Sequence, residues 1–332
     1  MGHEITNTDR VFSVREQGWH GLATVLDHYP TREEAQQIAH PWEPETEPLY
    51  RQKVTITDDG VTTDHIESSD SVAVVRSDTR EQIATISKTL TVVTNSELYD
   101  IAEAIEGDAS DVRFETGGSL KGGRMVWLLL RLAEPLLVPG DPNGATIQYY
   151  GLQNSHDGTG SLRGQATNVR IICANTSHMA DLDAQARGTE FAFSHTKSIK
   201  DRIEEAKLAL AGWRESIEAW QRLSLHLIRT PVTPAQREIF LSEFVPMPVK
   251  GLVSDRVVGN VETARQAIRD ILASRTCADI DLTAYGLVQA SVEYGQHVRA
   301  ARSAESRFKR AYLDRDRLVA DAVTLAKEVA TA

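Results

Sequence analysis

Cysteine is scarce in this sequence: 332 residues contain two, Cys173 and Cys277, far apart in the chain. Neither has a second cysteine or a ligand-spaced histidine pair beside it, which excludes a disulfide framework and the common zinc patterns. Long apolar runs are missing as well. The longest, Met125 to Val138, is interrupted by Arg131, Glu134 and Pro135, whereas a membrane span needs about 20 largely uninterrupted apolar residues. Met1-Gly2-His3-Glu4-Ile5-Thr6 shows no basic region leading into an apolar stretch, so no secretion leader is expected. A reduced, cytoplasmic protein with no membrane partner is the expectation. There is also no excess of positive charge: 36 Lys and Arg stand against 47 Asp and Glu, a net −11.

That net charge is unevenly distributed. Residues 1–110 hold 8 basic and 21 acidic side chains, whereas residues 111–332 hold 28 and 26. The acidity belongs to the first third, and the near-neutral remainder is open to an anionic ligand.

Four prolines, Pro30, Pro41, Pro44 and Pro48, mark residues 1–50 as an N-terminal arm around one short helix, Thr31 to Ala39, with Thr31 as its cap. From Arg51 the pattern has period two. Val54 and Ile56 lead into an Asp58-Asp59-Gly60 turn, then Val61 to Ile66, Val72 to Arg76 and Ile83 to Val93 read as strands. A helix follows from Asn95 to about Ile105, capped by Asn95 or Ser96. Strands are expected at Val112 to Glu115 and Arg124 to Leu132 around a glycine loop, and at Ala145 to Asn154 and Asn168 to Ala174. Beyond Thr196 the apolar spacing turns helical. Ile199, Ile203, Ala206, Leu210, Trp213, Ile217, Trp220, Ser224 and Leu227 recur at steps of three and four. The series Phe308, Tyr312, Arg315, Val319, Ala322, Ala326 and Val329 repeats that spacing within an expected final helix, Thr283 to Ala330. The fold class expected is α+β, a mixed and mainly antiparallel sheet domain (51–195) followed by a helical domain (196–332) with coiled-coil-like seams. Such seams either join subunits into a homo-oligomer or cover the sheet as ordinary core helices.

Few motifs point to chemistry. The loop Gly117 to Gly123 offers backbone N–H groups for a phosphate, with Lys121 and Arg124 supplying charge. Its lysine precedes the glycine pair, so it is not a Walker loop, and a plain hairpin turn is the favoured reading. His156 and Asp157 sit on a glycine-rich turn, and Cys173 stands near Asn175 and His178. Either set has the residue types of a hydrolase or thiol enzyme. Turn and capping chemistry explains both more simply. Trp19-His20-Gly21-Leu22 reads as a pin for the terminal arm. Arg113, Lys121, Arg124, Arg131, Arg163 and Arg170 fall on strands and hairpins, with Tyr149 and Tyr150 as candidate stacking surfaces for bases. No motif implies a cofactor or a metal.

Several blocks resemble one family in order along the chain: Trp19 to Leu22, Val75-Arg76-Ser77-Asp78-Thr79, Gly117 to Arg124, His156-Asp157-Gly158-Thr159-Gly160, Val169 to Thr176, and the region Ala284 to Arg299. Together they are similar to the phage/plasmid-like proteins built on domain of unknown function 932. Ala23 departs from the family's usual Gly, and Leu90 from a common aromatic. The resemblance implies a mobile genetic element, phage or plasmid, in a bacterial host cytoplasm, and brings no established activity. The order of strands, helix and hairpin is also similar to single-strand annealing proteins.

The leading expectation is a non-enzymatic protein that binds single-stranded DNA and promotes annealing or recombination, with Lys121, Arg124, Arg163 and Arg170 on phosphate. Assembly would run through the C-terminal helices. The alternatives are an interaction module, its acidic N-terminal third docking on a host protein, or a hydrolase or thiol enzyme.

Overall fold

A computed structural model describes residues 6–14, 23–58, 60–107, 112–132, 134–142, 144–170, 175–178, 191–193, 199–248, 254–302, 306 and 318–331. Strands β1 (Val11–Val14), β2 (Thr24–Leu26) and helix α1 (Arg32–Ala39) open the chain. Thr31 accepts from the Glu34 backbone N–H and caps α1 as its sequence position suggests. Next come β3 (Pro44–Thr57), β4 (Gly60–Arg76), β5 (Gln82–Ser87) and α2 (Asn95–Gly107). The strands β6 (Val112–Leu120), β7 (Met125–Leu132), β8 (Thr146–Ser155), β9 (Leu162–Arg170), β10 (Asn175–His178) and β11 (Phe191–Phe193) complete the β part. Helices α3 (Ile199–Ile228), α4 (Pro234–Phe244), α5 (Asp255–Leu272), α6 (Ala284–Glu293) and α7 (Leu318–Thr331) follow.

The main sheet has the order β10-β9-β8-β7-β6-β1-β2, with β11 also paired to β9. Only β1 and β2 run parallel; every other ladder is antiparallel. A separate three-stranded sheet has the order β3-β4-β5. The class is α+β, as the sequence pattern implies.

Period-two alternation along β7 and β8 sorts the large sheet's side chains. Val126, Leu128, Leu130, Tyr150 and Leu152 enter one extensive core with residues of α2, α3, α5, α6 and α7. Trp127 and Leu129 point the other way and join Val11 and Leu120 in a smaller cluster. Trp213 and Trp220 of α3, and Val319, Ala322, Ala326 and Val329 of α7, are all buried in the large core. The described part of both helical seams therefore packs inside the chain. Phe308, Tyr312 and Arg315 lie outside the described residues.

Three local differences from the sequence pattern have clear causes. The glycines at 117 and 118 do not open a loop: β6 runs through them to Leu120, and the turn is confined to 121–124. A Cβ on Gly117 would lie 2.6 Å from Leu128 and 2.9 Å from Phe12, and one on Gly118 would lie 2.8 Å from the Arg10 carbonyl. Absence of a side chain is what lets β1 and the core approach. Helix α4 begins at Pro234, in a stretch where the apolar spacing above marks no helix. The proline occupies the first turn of α4 behind Thr233, whose side chain forms a capping box with Gln236. The expected helix from Thr283 to Ala330 is not continuous, since α6 passes into a π-turn, Tyr294–Val298, and the backbone becomes extended at Arg299.

Candidate functional site

The β6–β7 turn is built from three consecutive left-handed residues, Lys121 (φ 57°), Gly122 (φ 72°) and Gly123 (φ 95°). Its two glycine amides converge on one anion, the Asp9 carboxylate, at 2.8 Å from Gly122 N and 3.0 Å from Gly123 N. Asp9 also accepts from the Thr6 amide and hydroxyl. The amides that might have cradled phosphate are thus occupied from within the chain. A Cβ on Gly123 would stand 2.6 Å from the Trp42 ring, so the turn needs glycine for contact as well as for its dihedral angle.

Beneath the turn lies a buried polar cluster. Arg76 is 1% exposed. Its Nε and Nη2 donate to the Asp78 carboxylate, both at 2.9 Å, its Nη1 donates to the Gly122 carbonyl, and its guanidinium carbon lies 4.2 Å above the Trp42 ring. A forked carboxylate and an aromatic face are the partners that make a buried guanidinium tolerable. The hydrogen bonds from Arg76 hold the Asp78 carboxyl below its ordinary value. On its other side Trp42 meets His156 edge-on, 5.6 Å between centroids.

Two amides orient His156. The Asn95 side chain donates to the Trp42 carbonyl at 2.7 Å and so turns its oxygen to His156 Nε2, at 3.0 Å. Asn154 donates to the Val93 carbonyl and lies 3.4 Å from His156 Nδ1. This arrangement suits a neutral imidazole with its proton on Nε2. Nearby, Glu43 receives the Asn95 and Ser96 amides at 2.6 and 3.0 Å and the Ser96 hydroxyl. A carboxylate there complements the positive end of α2. The cap of α2 is Thr94, in reciprocal bonds with Glu97, one position before the residues its sequence suggests. His40 is buried with its Nδ1 3.0 Å from the Tyr99 hydroxyl, and burial pushes its pKa down to about 4.

Of the four basic residues singled out by sequence, the structure gathers three at one end of the large sheet. Lys121 and Arg124 are exposed on the β6–β7 turn. The neighbouring β8–β9 turn is held to it by Met125 pairing with Ser155 and by a 2.8 Å bond from His156 N to the Arg124 carbonyl. Arg163, exposed, lies just beyond that second turn, opposite Gln153. Arg170 is at the far end, opposite Thr146 and Asn175.

The other candidates divide in the same physical way. Tyr149 and Tyr150 are adjacent on a strand and therefore face opposite sides. Tyr150 is fully buried, 5.3 Å from Trp213, and offers no surface to a base; Tyr149 is half-buried. Arg131 is ion-paired with Glu115 at 3.2 Å, and half-buried Arg113 donates to the Val112 carbonyl. Asp157 does not bond to His156: its carboxylate accepts from the Ser155 and Thr159 hydroxyls and the Thr159 amide. Burial raises its pKa, yet these bonds outweigh burial and hold it below the ordinary value. Trp19 to Leu22 and Cys173 lie outside the described residues, as does the His178 side chain, whose backbone pairs with Thr167 in β10. Cys277 is buried in the large core. Among the described residues no group of three or more His, Cys, Asp or Glu could hold a metal ion, and no helix is long and apolar enough to cross a membrane.

Sequence reasoning passed over Trp42, Asn95, Glu43 and Asp9 as site residues. The available signal was a lone Trp between Pro41 and Pro44 in a polar arm, a poor place for an aromatic unless it packs elsewhere.

An α+β fold in which a buried arginine–tryptophan–histidine cluster organises one end of the large sheet is the class the geometry defines. A family model described as a domain of unknown function (DUF932) matches residues 82–313. The chain belongs to that family. The match takes in the 117–124 and 156–160 turns but not Trp42, Arg76 or Asp78. No curated protein and no solved structure matches the chain.

Proposed function

We propose that this protein binds single-stranded DNA without cleaving it, at the end of the large sheet where the β6–β7 and β8–β9 turns meet. One observation carries the reading. Lys121, Arg124 and Arg163 are exposed there and gather positive charge at one end of the sheet, close enough for Lys121 to act electrostatically on Asp157. Binding would rest on phosphate charge rather than on base recognition, because Tyr150 is buried and the glycine amides already hold Asp9. Phosphate neutralisation of this kind favours annealing of complementary strands, and the likeness to phage and plasmid proteins supports a role in recombination. A hydrolytic reading centred on His156 and Asp157 gains no support, since their bonds run to separate partners.

The test is fluorescence anisotropy of a labelled oligothymidylate over a salt series. Native protein should bind at low salt. The triple variant Lys121→Ala, Arg124→Ala, Arg163→Ala should lose most affinity and flatten the log–log salt slope by about 2, at roughly 0.7 per phosphate contact on a single strand. Arg170→Ala should bind like the native chain. No binding by native protein at low salt, or an equal loss in Arg170→Ala, refutes the site.

A further inference from the structure

Beyond Ser71, strand β5 no longer covers β4, and residues 49–70 continue as a two-stranded ribbon. Its register puts Tyr50 opposite Glu67, Gln52 opposite His65, Val54 opposite Thr63 and Ile56 opposite Val61. Alternation places all eight on one face, and Arg51, Lys53 and Asp64 on the other. The first face carries the ribbon's exposed apolar side chains: Tyr50 is 58% exposed, Val54 55%, Ile56 79% and Val61 65%. A two-stranded ribbon is marginal by itself in water and needs a further layer on its apolar face.

The geometry points to a second copy of this chain as that layer, with the two ribbons (residues 49–70, the ribbon arm) packed face to face about a two-fold axis. Charge decides between occupants. Among the described residues paired on that face the one carboxylate is Glu67, and the Lys88 ammonium already meets it at 2.9 Å; Asp58 lies in the turn at the ribbon tip. Two such faces meet without like-charge repulsion, and a symmetric interface requires that self-complementarity. A basic host protein would find almost no negative charge there, although the N-terminal third is acidic overall. The area is small. Eight residues per strand extend about 27 Å, and two strands about 4.8 Å apart cover about 260 Å² per copy, about 500 Å² over both and below a standard interface. Association is accordingly weak, and the dimer forms only toward the upper end of a concentration series. The described part of the C-terminal seams packs inside the chain, so among the described residues the ribbon is the open apolar face that joins the copies.

Sedimentation velocity over a concentration series tests this, with hydrogen exchange of residues 49–70 at both ends of the series. Native protein should pass from 36.7 kDa to twice that mass, with exchange in the arm slowing as it does so. Ile56→Asp with Val61→Asp should remain a single chain throughout, whereas Thr62→Lys, on the opposite face, should dimerise like the native protein. Three results overturn the proposal: a single chain at every concentration, a dimer that survives the double substitution, or a dimer whose arm exchanges as fast as in the monomer. The exchange readout uses unaltered protein, so it stands even if the double substitution unfolds the arm. DNA binding is measured separately, so failure of one proposal leaves the other intact.

Discussion

His40 shows what burial does to one titratable side chain. It is enclosed with the Tyr99 hydroxyl at its Nδ1, and desolvation, opposed by the Gly118 backbone and by Asp9 and aided by the positive charge of Arg76, lowers its pKa from 6.5 to about 4. Between those values the unfolded chain binds a proton that the folded chain refuses. Stability is therefore fully present above pH 6.5 and falls as the pH drops toward 4, by about 3 kcal/mol at 1.36 kcal/mol per unit. Urea denaturation from pH 7 to pH 4 should show that loss in the native protein, and His40→Gln should flatten the slope in this window. Equal slopes would mean the imidazole is solvated in solution. Arg76 illustrates the opposite solution to burial. Its guanidinium is enclosed by Asp78, Trp42 and the Gly122 carbonyl, which replace the water that burial removes.

At the scale of elements, caps and turns decide boundaries that apolar spacing leaves vague. Helix α4 exists because Thr233 and Gln236 exchange bonds across its first turn and Pro234 needs no amide partner there. Thr233→Ala should cost about 1 kcal/mol, read as a lowered denaturation midpoint with an unchanged slope. A change under a few tenths would show that the tertiary contacts of α4 alone hold it. The same reasoning explains β6, where glycines that look like a loop are a strand pressed against β1. The arm is the converse case. Its strands are plain in the sequence as alternation around Asp58-Asp59-Gly60, yet only the register reveals that Tyr50, Val54, Ile56 and Val61 share a face.

Across the molecule, one core joins sheet and helices. Trp213 of α3 is fully buried and its ring lies against Tyr150 of β8, so the helical layer and the sheet stabilise each other. Trp213→Ala should cost about 3–5 kcal/mol, and it should lower a single cooperative transition rather than split it in two. Two separate transitions in the native chain would contradict a shared core.

The α+β class, α1 and its Thr31 cap, α2, the hairpin around Asp58-Asp59-Gly60 and the β6–β7 pair could all be read from periodicity and turn residues, whereas the partner of β8, expected at Asn168 to Ala174, is Leu162–Arg170. These depend on neighbours within a few positions, and backbone geometry makes such neighbours predictable. The meeting of Asp9, Trp42, Arg76, Asn95, Gly123 and His156 could not be read that way. Those residues are separated by up to 147 positions, and no local pattern encodes which strand ends will adjoin. Nor could sequence say that Arg163 would join Lys121 and Arg124 while Arg170 lay at the far end, because that depends on pairing register. Sequence determined the elements and their amphipathic faces; tertiary packing decided which charges share a surface and which apolar faces stay open.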